Sequence, residues 1–178
     1  TPHAAPPPPL PDSGDERLPK FYEKKGCSTF CVVREPLQRF LSTAFFDHMF
    51  DCDTARPQAV KNFESMVVRA LGPFGWMKAI PYMAACHFVP QVQMVYGRKY
   101  YDKATTSYCD RILYQEDLTN EFNQLMQNFG SGLQLTGKPM FENKQCILKP
   151  EDLSKQTKQL VYEYYKEDYK AFGYPRPY

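Results

Sequence analysis

The stretch that decides the fold is CVVREPLQRFLSTAFFDHM, residues 31–49. Its first residues continue an apolar, β-branched run, which predicts a short buried strand over residues 29–33. From Pro36 onward, apolar residues recur with the period of a helix, and proline suits a first helical position. The sequence therefore predicts a strand that turns into a helix with very little chain between them.

Three side-chain donors lie around this junction. Arg34 ends the strand, while Arg39 and Ser42, three residues apart, share one face of the helix. A helix start exposes unpaired N–H groups and arginine presents a planar fork of donors, so the junction suits an anion such as phosphate or sulfate. In the alternative, purely structural reading, Arg34 pairs with Glu35 or Asp47 and Ser42 only faces solvent. The residues alone leave both readings open.

The rest of the pattern alternates short apolar runs with helical periods. It predicts further strands at Gln91–Tyr96 and Arg111–Tyr114, and helices over about 58–71, 118–129 and 150–172. Strands that alternate with helices indicate an α/β fold, in which a parallel or mixed sheet is flanked by helices.

Composition and charge limit the class of protein. The chain has 178 residues, of which 43% are hydrophobic, and this is enough for one globular domain, predicted over residues 21–178. The formal net charge of +2 is too small to predict nucleic-acid binding, and no apolar run approaches the roughly 20 residues of a membrane span. Residues 1–20 contain PPPPLP and predict an extended arm, either a linker or a ligand for an aromatic groove on a partner protein.

Six cysteines are spread along the chain without a CxxC pair or a zinc-like cysteine–histidine spacing. We therefore predict no metal site. One or two disulfides in an oxidising lumen and buried free thiols explain the cysteine count equally well, so the redox compartment stays open at this stage.

Four segments together resemble the Golgi carbohydrate branch of the sulfotransferases. In the family's order they are VREPLQRFLS at 33–42, HFVPQ at 87–91, ILYQEDL at 112–118 and VYEYYKEDYKAFGY at 161–174. The first segment resembles the family's 3'-phosphate-binding motif, and the last resembles its closing tyrosine-rich helix. The likeness covers roughly residues 28–174.

This resemblance implies a P-loop-NTPase-like α/β fold and the co-substrate 3'-phosphoadenosine 5'-phosphosulfate, PAPS. Arg34 and Ser42 carry over as contacts to the 3'-phosphate, whereas Arg39 either joins them or pairs with an acid and holds the helix. The implied reaction transfers a sulfuryl group to a hydroxyl of a carbohydrate acceptor. The implied location is the Golgi or another secretory lumen, with an organelle lumen as the alternative.

Two residues are candidates for the base that such a transfer needs. His87 has a side chain suited to accept a proton near neutral pH, and its alternative role is to hydrogen-bond within a loop ahead of Pro90. Glu116 is the second candidate, and its alternative role is to cap the helix that begins near Leu118.

One motif of the family is not found. The family's loop of the type Pro-Lys-x-Gly-x-Ser/Thr, which grips the 5'-phosphosulfate, should precede a helix, but KKGCST at 24–29 runs into the predicted strand instead. We expect this chain to match only the C-terminal two-thirds of the family, truncated at its N-terminal side. Two hypotheses follow: a PAPS-dependent sulfotransferase, or a non-catalytic sulfotransferase-like subunit whose proline-rich arm lies along a protein partner.

Overall fold

The computed structural model describes residues 28–52, 54–75, 77, 86–96, 107–137 and 148–178. The predicted arm of residues 1–20 and the first four residues of KKGCST lie outside the described residues. The chain forms two compact units. We call Thr1–Arg34 with Gln91–Met140 the strand unit, and Glu35–Pro90 with Phe141–Tyr178 the helical unit.

The strand unit contains a parallel pair of strands, β1 (Phe30–Val33) and β2 (Arg111–Tyr114). Phe30 lies opposite Arg111 and Val33 opposite Tyr114. Helix α4 (Leu118–Asn128) packs against β2, and the α/β class predicted from the sequence is confirmed at this level. A disulfide joins Cys31 on β1 to Cys109 just before β2, so these two cysteines are not free thiols.

One predicted strand is wrong. The segment Gln91–Tyr96 forms a short helix, α3, in which Val92 and Val95 are buried three residues apart. The six-residue segment QVQMVY is too short for its period to separate strand from helix. The side chain of Gln91, rather than a third strand, bonds to the backbone at the end of β1.

The helical unit contains helices α1 (Pro36–Phe46), α2 (Arg56–Leu71) and α5 (Lys155–Ala171). Helices α1 and α2 both pack against α5, as their apolar stripes predict. Phe40 is at the centre of the core, with edge-to-face contacts to the rings of Phe63, Phe88 and Tyr165 at centroid distances of 6.0, 5.4 and 6.0 Å.

The helix predicted over residues 150–172 is divided in the structure. Pro150–Asp152 forms a 3-10 turn, and α5 begins only after Ser154, whose hydroxyl accepts a hydrogen bond from the N–H of Thr157. Serine favours the cap position because its side chain satisfies one of the unpaired N–H groups of the first turn. Within α5, Tyr165 has non-helical dihedral angles and marks a kink. Among the described residues, no helix is long and apolar enough to cross a membrane.

Candidate functional site

Arg34 directly follows β1, and its backbone is fixed by the side chain of Gln91. The Arg34 N–H donates to the side-chain oxygen of Gln91 at 2.9 Å, and the side-chain nitrogen of Gln91 donates to the Arg34 carbonyl at 2.8 Å. Within the described part of the strand unit, nothing accepts a hydrogen bond from the half-buried Arg34 guanidinium. Arg34 therefore has a fixed backbone and a cationic group that no described residue of its unit neutralises.

Glu35 occupies the start of α1. One of its carboxylate oxygens accepts from the N–H of Gln38 at 2.6 Å, and the other accepts from the hydroxyl of Tyr169 at 2.7 Å. Burial, together with the charge of Glu35, raises the pKa of Tyr169 well above its usual value, so this hydroxyl remains a donor. Glu35 thus caps α1 and accepts a hydrogen bond from α5, both within the helical unit.

Arg39 on α1 bonds to the backbone of the HFVPQ segment. Its two terminal nitrogens donate to the carbonyls of His87 and Val89, each at 2.9 Å. The carbonyl between them, that of Phe88, accepts from the buried hydroxyl of Tyr165 at 2.8 Å. Three consecutive carbonyls are therefore held by two side chains, and among the described residues the partners of Arg39 are carbonyls and not an acid.

His87 lies in the 3-10 turn Cys86–Phe88, with 56% of its side chain exposed. Its Nδ1 lies 3.0 and 3.2 Å from the two carboxylate oxygens of Asp47, the residue that follows α1. Because a carboxylate can only accept, Nδ1 carries the hydrogen, and Nε2 of the neutral ring keeps its lone pair. The ring of Phe46 meets the His87 ring edge-on at 6.0 Å. This arrangement can take a proton from a hydroxyl group.

Ser42 and Glu116 are both exposed, in different units. The hydroxyl of Ser42, on α1, has no partner in the described part of the helical unit. Glu116 lies in the 3-10 turn that follows β2, and the cap position of α4 belongs to Asp117 instead. The charges of Glu121 and Glu116 add to burial in raising the pKa of Tyr114.

The structure adds three residues whose roles the sequence did not predict. Gln91 fixes the end of β1, Asp47 orients His87, and Tyr165 holds the carbonyl of Phe88. The sequence suggests Asp47 only as a partner for Arg34, and its separation of 40 residues from His87 gives no local signal of their pairing. Gln91 was available in the HFVPQ motif, but its acceptor and donor are 57 residues away.

Comparison with known proteins gives no match: no family model, no curated protein and no solved structure matches this chain. In the described ranges, no three His, Cys, Asp or Glu side chains are grouped in a way that could hold a metal ion.

Proposed function

We propose that this protein transfers a sulfuryl group from PAPS to a hydroxyl of a carbohydrate acceptor. The observation that carries the proposal is the pair formed by His87 and Asp47, in which Nδ1 is held and no described residue bonds to Nε2, the nitrogen that would act as the base. Positioned bases of this kind contribute about 10²- to 10⁴-fold to a reaction rate.

In the proposed reaction, the acceptor oxygen attacks the sulfur of PAPS and forms a new S–O bond. The bond between that sulfur and the bridging oxygen of the 5'-phosphate breaks, and its electron pair leaves with 3'-phosphoadenosine 5'-phosphate. Nε2 of His87 accepts the proton of the acceptor hydroxyl. Asp47 stabilises the imidazolium that forms, since its carboxylate already accepts from Nδ1.

The choice of donor depends on the resemblance of VREPLQRFLS to the 3'-phosphate motif. Arg34 and Ser42 are assigned to the 3'-phosphate by their positions in that motif. Two observations support the assignment. In the strand unit, the Arg34 guanidinium makes no hydrogen bond to a described residue, and in the helical unit the same holds for the Ser42 hydroxyl. The parallel pair of β1 and β2, with Arg34 at a carboxyl end, is compatible with a larger P-loop-NTPase-like sheet.

The proposed location is a secretory lumen such as the Golgi. The disulfide between Cys31 and Cys109 supports this, because disulfides persist in oxidising compartments and are rare where thiols are kept reduced.

The binding step is tested by titrating the protein with 3'-phosphoadenosine 5'-phosphate and following thermal unfolding. At 100 times the dissociation constant, we expect about 2.7 kcal/mol of added stability. Arg34→Gln should remove the shift, whereas Arg69→Gln, an exposed arginine of α2, should keep it. A wild-type protein that shows no shift at millimolar nucleotide would contradict the proposal.

A specific observation favours a second candidate, the non-catalytic subunit. Thr29, the last residue of KKGCST, donates its hydroxyl to the Tyr108 carbonyl and its N–H to Asp110, at 3.1 and 2.7 Å. The next residue begins β1 and not a helix, so KKGCST is not followed by the helix that the family's 5'-phosphosulfate loop precedes. Measured transfer of sulfate by the purified chain would rule this candidate out.

A further inference from the structure

We propose that Arg39 is a positioning residue for His87 and not a contact of the nucleotide phosphate. This inference rests on the proposed function, in which His87 acts as the base. It assigns different roles to the two arginines of VREPLQRFLS. Arg34 would bind the donor, and Arg39 would position His87, the base that activates the acceptor.

The geometry assigns this task through hydrogen bonds inside the helical unit. Both terminal nitrogens of Arg39 are directed at the backbone of the HFVPQ segment, one at the carbonyl of His87 itself and one at that of Val89. Tyr165 holds the carbonyl between them from α5. The 3-10 turn that carries His87 is thus bonded to α1 and α5.

One residue of α1 and the residue that follows α1 control two different properties of His87. Arg39, near the start of the helix, bonds to the backbone from which the imidazole projects. Asp47, just past the end of the helix, holds Nδ1 and so selects the tautomer and the direction of Nε2. Since a planar guanidinium binds two acceptors in a fixed relative geometry, lysine can replace its charge but not both bonds.

The test measures the His87 ring and nucleotide affinity separately. With ¹⁵N-labelled protein, the three histidines give few ring signals, and His87→Gln identifies the signals of His87. In the wild type we expect the neutral ring of His87 to be in the Nδ1–H form. Arg39→Gln should lose this form, and Arg39→Lys should restore it in part. The matched control Arg69→Gln should keep the wild-type spectrum.

The dissociation constant of 3'-phosphoadenosine 5'-phosphate is measured by calorimetry on the same variants. For Arg39→Lys and Arg39→Gln we expect it to stay within about twofold of the wild type, while kcat for sulfate transfer falls about 100-fold, the effect expected of a base displaced by about 1 Å. A tenfold weaker nucleotide affinity with an unchanged His87 spectrum would overturn the inference, because Arg39 would then be a phosphate contact.

Tyr165→Phe gives an independent variant if the Arg39 substitutions fail to fold. It removes only the hydroxyl that donates to the Phe88 carbonyl, so the Nδ1–H signal of His87 should weaken while nucleotide affinity remains. An unchanged His87 spectrum in Tyr165→Phe would count against the positioning role. If the wild type binds no nucleotide, the proposed function fails, and the His87 spectra still decide whether Arg39 and Tyr165 place the ring.

Discussion

The side chain of Gln91 makes the hydrogen bonds to Arg34 that a neighbouring strand would otherwise make. Its buried amide both accepts from the Arg34 N–H and donates to the Arg34 carbonyl, as an adjacent strand would do at the end of β1. A single side chain therefore satisfies both backbone groups of the half-buried Arg34, and the guanidinium extends from a backbone whose position is fixed.

We expect Gln91→Leu to lower the free energy of unfolding by roughly 3 kcal/mol, because it leaves a donor and an acceptor of the Arg34 backbone without partners. Urea denaturation measures this change. The control is Gln93→Leu, which alters a half-buried glutamine two residues further along α3 and should cost much less. Equal losses in the two variants would show that the Arg34 backbone does not depend on Gln91.

At the scale of residues, the sequence predicts which side chains matter better than it predicts their partners. Arg39 was expected to bind phosphate or an acid, and His87 to act as a base or to bond within its loop. The actual partners are 40 to 50 residues away in the chain, at Asp47 and at the carbonyls of His87 and Val89. Such pairings depend on how helices pack, which residue spacing does not encode.

At the scale of elements, the start of α5 is capped from two sides. Ser154 caps its own helix, and Glu64 on α2 accepts from the Ser154 N–H at 2.7 Å. Burial alone would raise the pKa of Glu64, but hydrogen bonds from Ser154 and Thr157 outweigh it, so the pKa lies below its usual value near 4.5. The folded protein thus favours the ionised carboxylate more than the unfolded chain does.

Glu64→Gln should therefore destabilise the protein by about 1 kcal/mol at pH 7, where the carboxylate and the positive end of the helix dipole attract each other. The stabilisation is present above the usual pKa and is lost as pH falls through the lowered folded pKa, so wild type and variant should converge toward pH 3. Denaturation at several pH values measures this, with the exposed Glu163→Gln as the matched control. A difference that does not depend on pH would contradict the account.

Elements are predictable from sequence where they are long or strongly patterned. The strand at Arg111–Tyr114 and the first two helices were predicted with small errors at their ends. Gln91–Tyr96 was assigned to the wrong class because so short a segment fits either period. The break before α5 was missed, although Ser154 carries the signal of a helix cap.

At the scale of the whole molecule, the α/β class follows from the alternation of patterns, whereas the division into two units does not. Each unit is built from two segments that are separated in the sequence, so no single linker marks a boundary between the units. The disulfide between Cys31 and Cys109 spans 78 residues and lies entirely within the strand unit.

We expect the double variant Cys31→Ser/Cys109→Ser to lose about 4 kcal/mol of stability in the strand unit, because a cross-link over a loop of this length restricts the unfolded chain. Amide hydrogen exchange measures the effect on β1 and β2, which should exchange much faster than in the wild type. Helices α1, α2 and α5 of the helical unit serve as an internal reference. Unchanged protection of the two strands would show that the disulfide does not stabilise them.

Sulfate transfer itself is the most direct test of the proposed activity. Purified protein is incubated with ³⁵S-labelled PAPS and a panel of neutral and uronic-acid oligosaccharides, and labelled product is counted. The account predicts transfer to at least one oligosaccharide by the wild type, with a loss of about 10²- to 10⁴-fold in His87→Gln at unchanged nucleotide affinity. Transfer by His87→Gln at the wild-type rate, or no transfer by a wild type that binds the nucleotide, would contradict it.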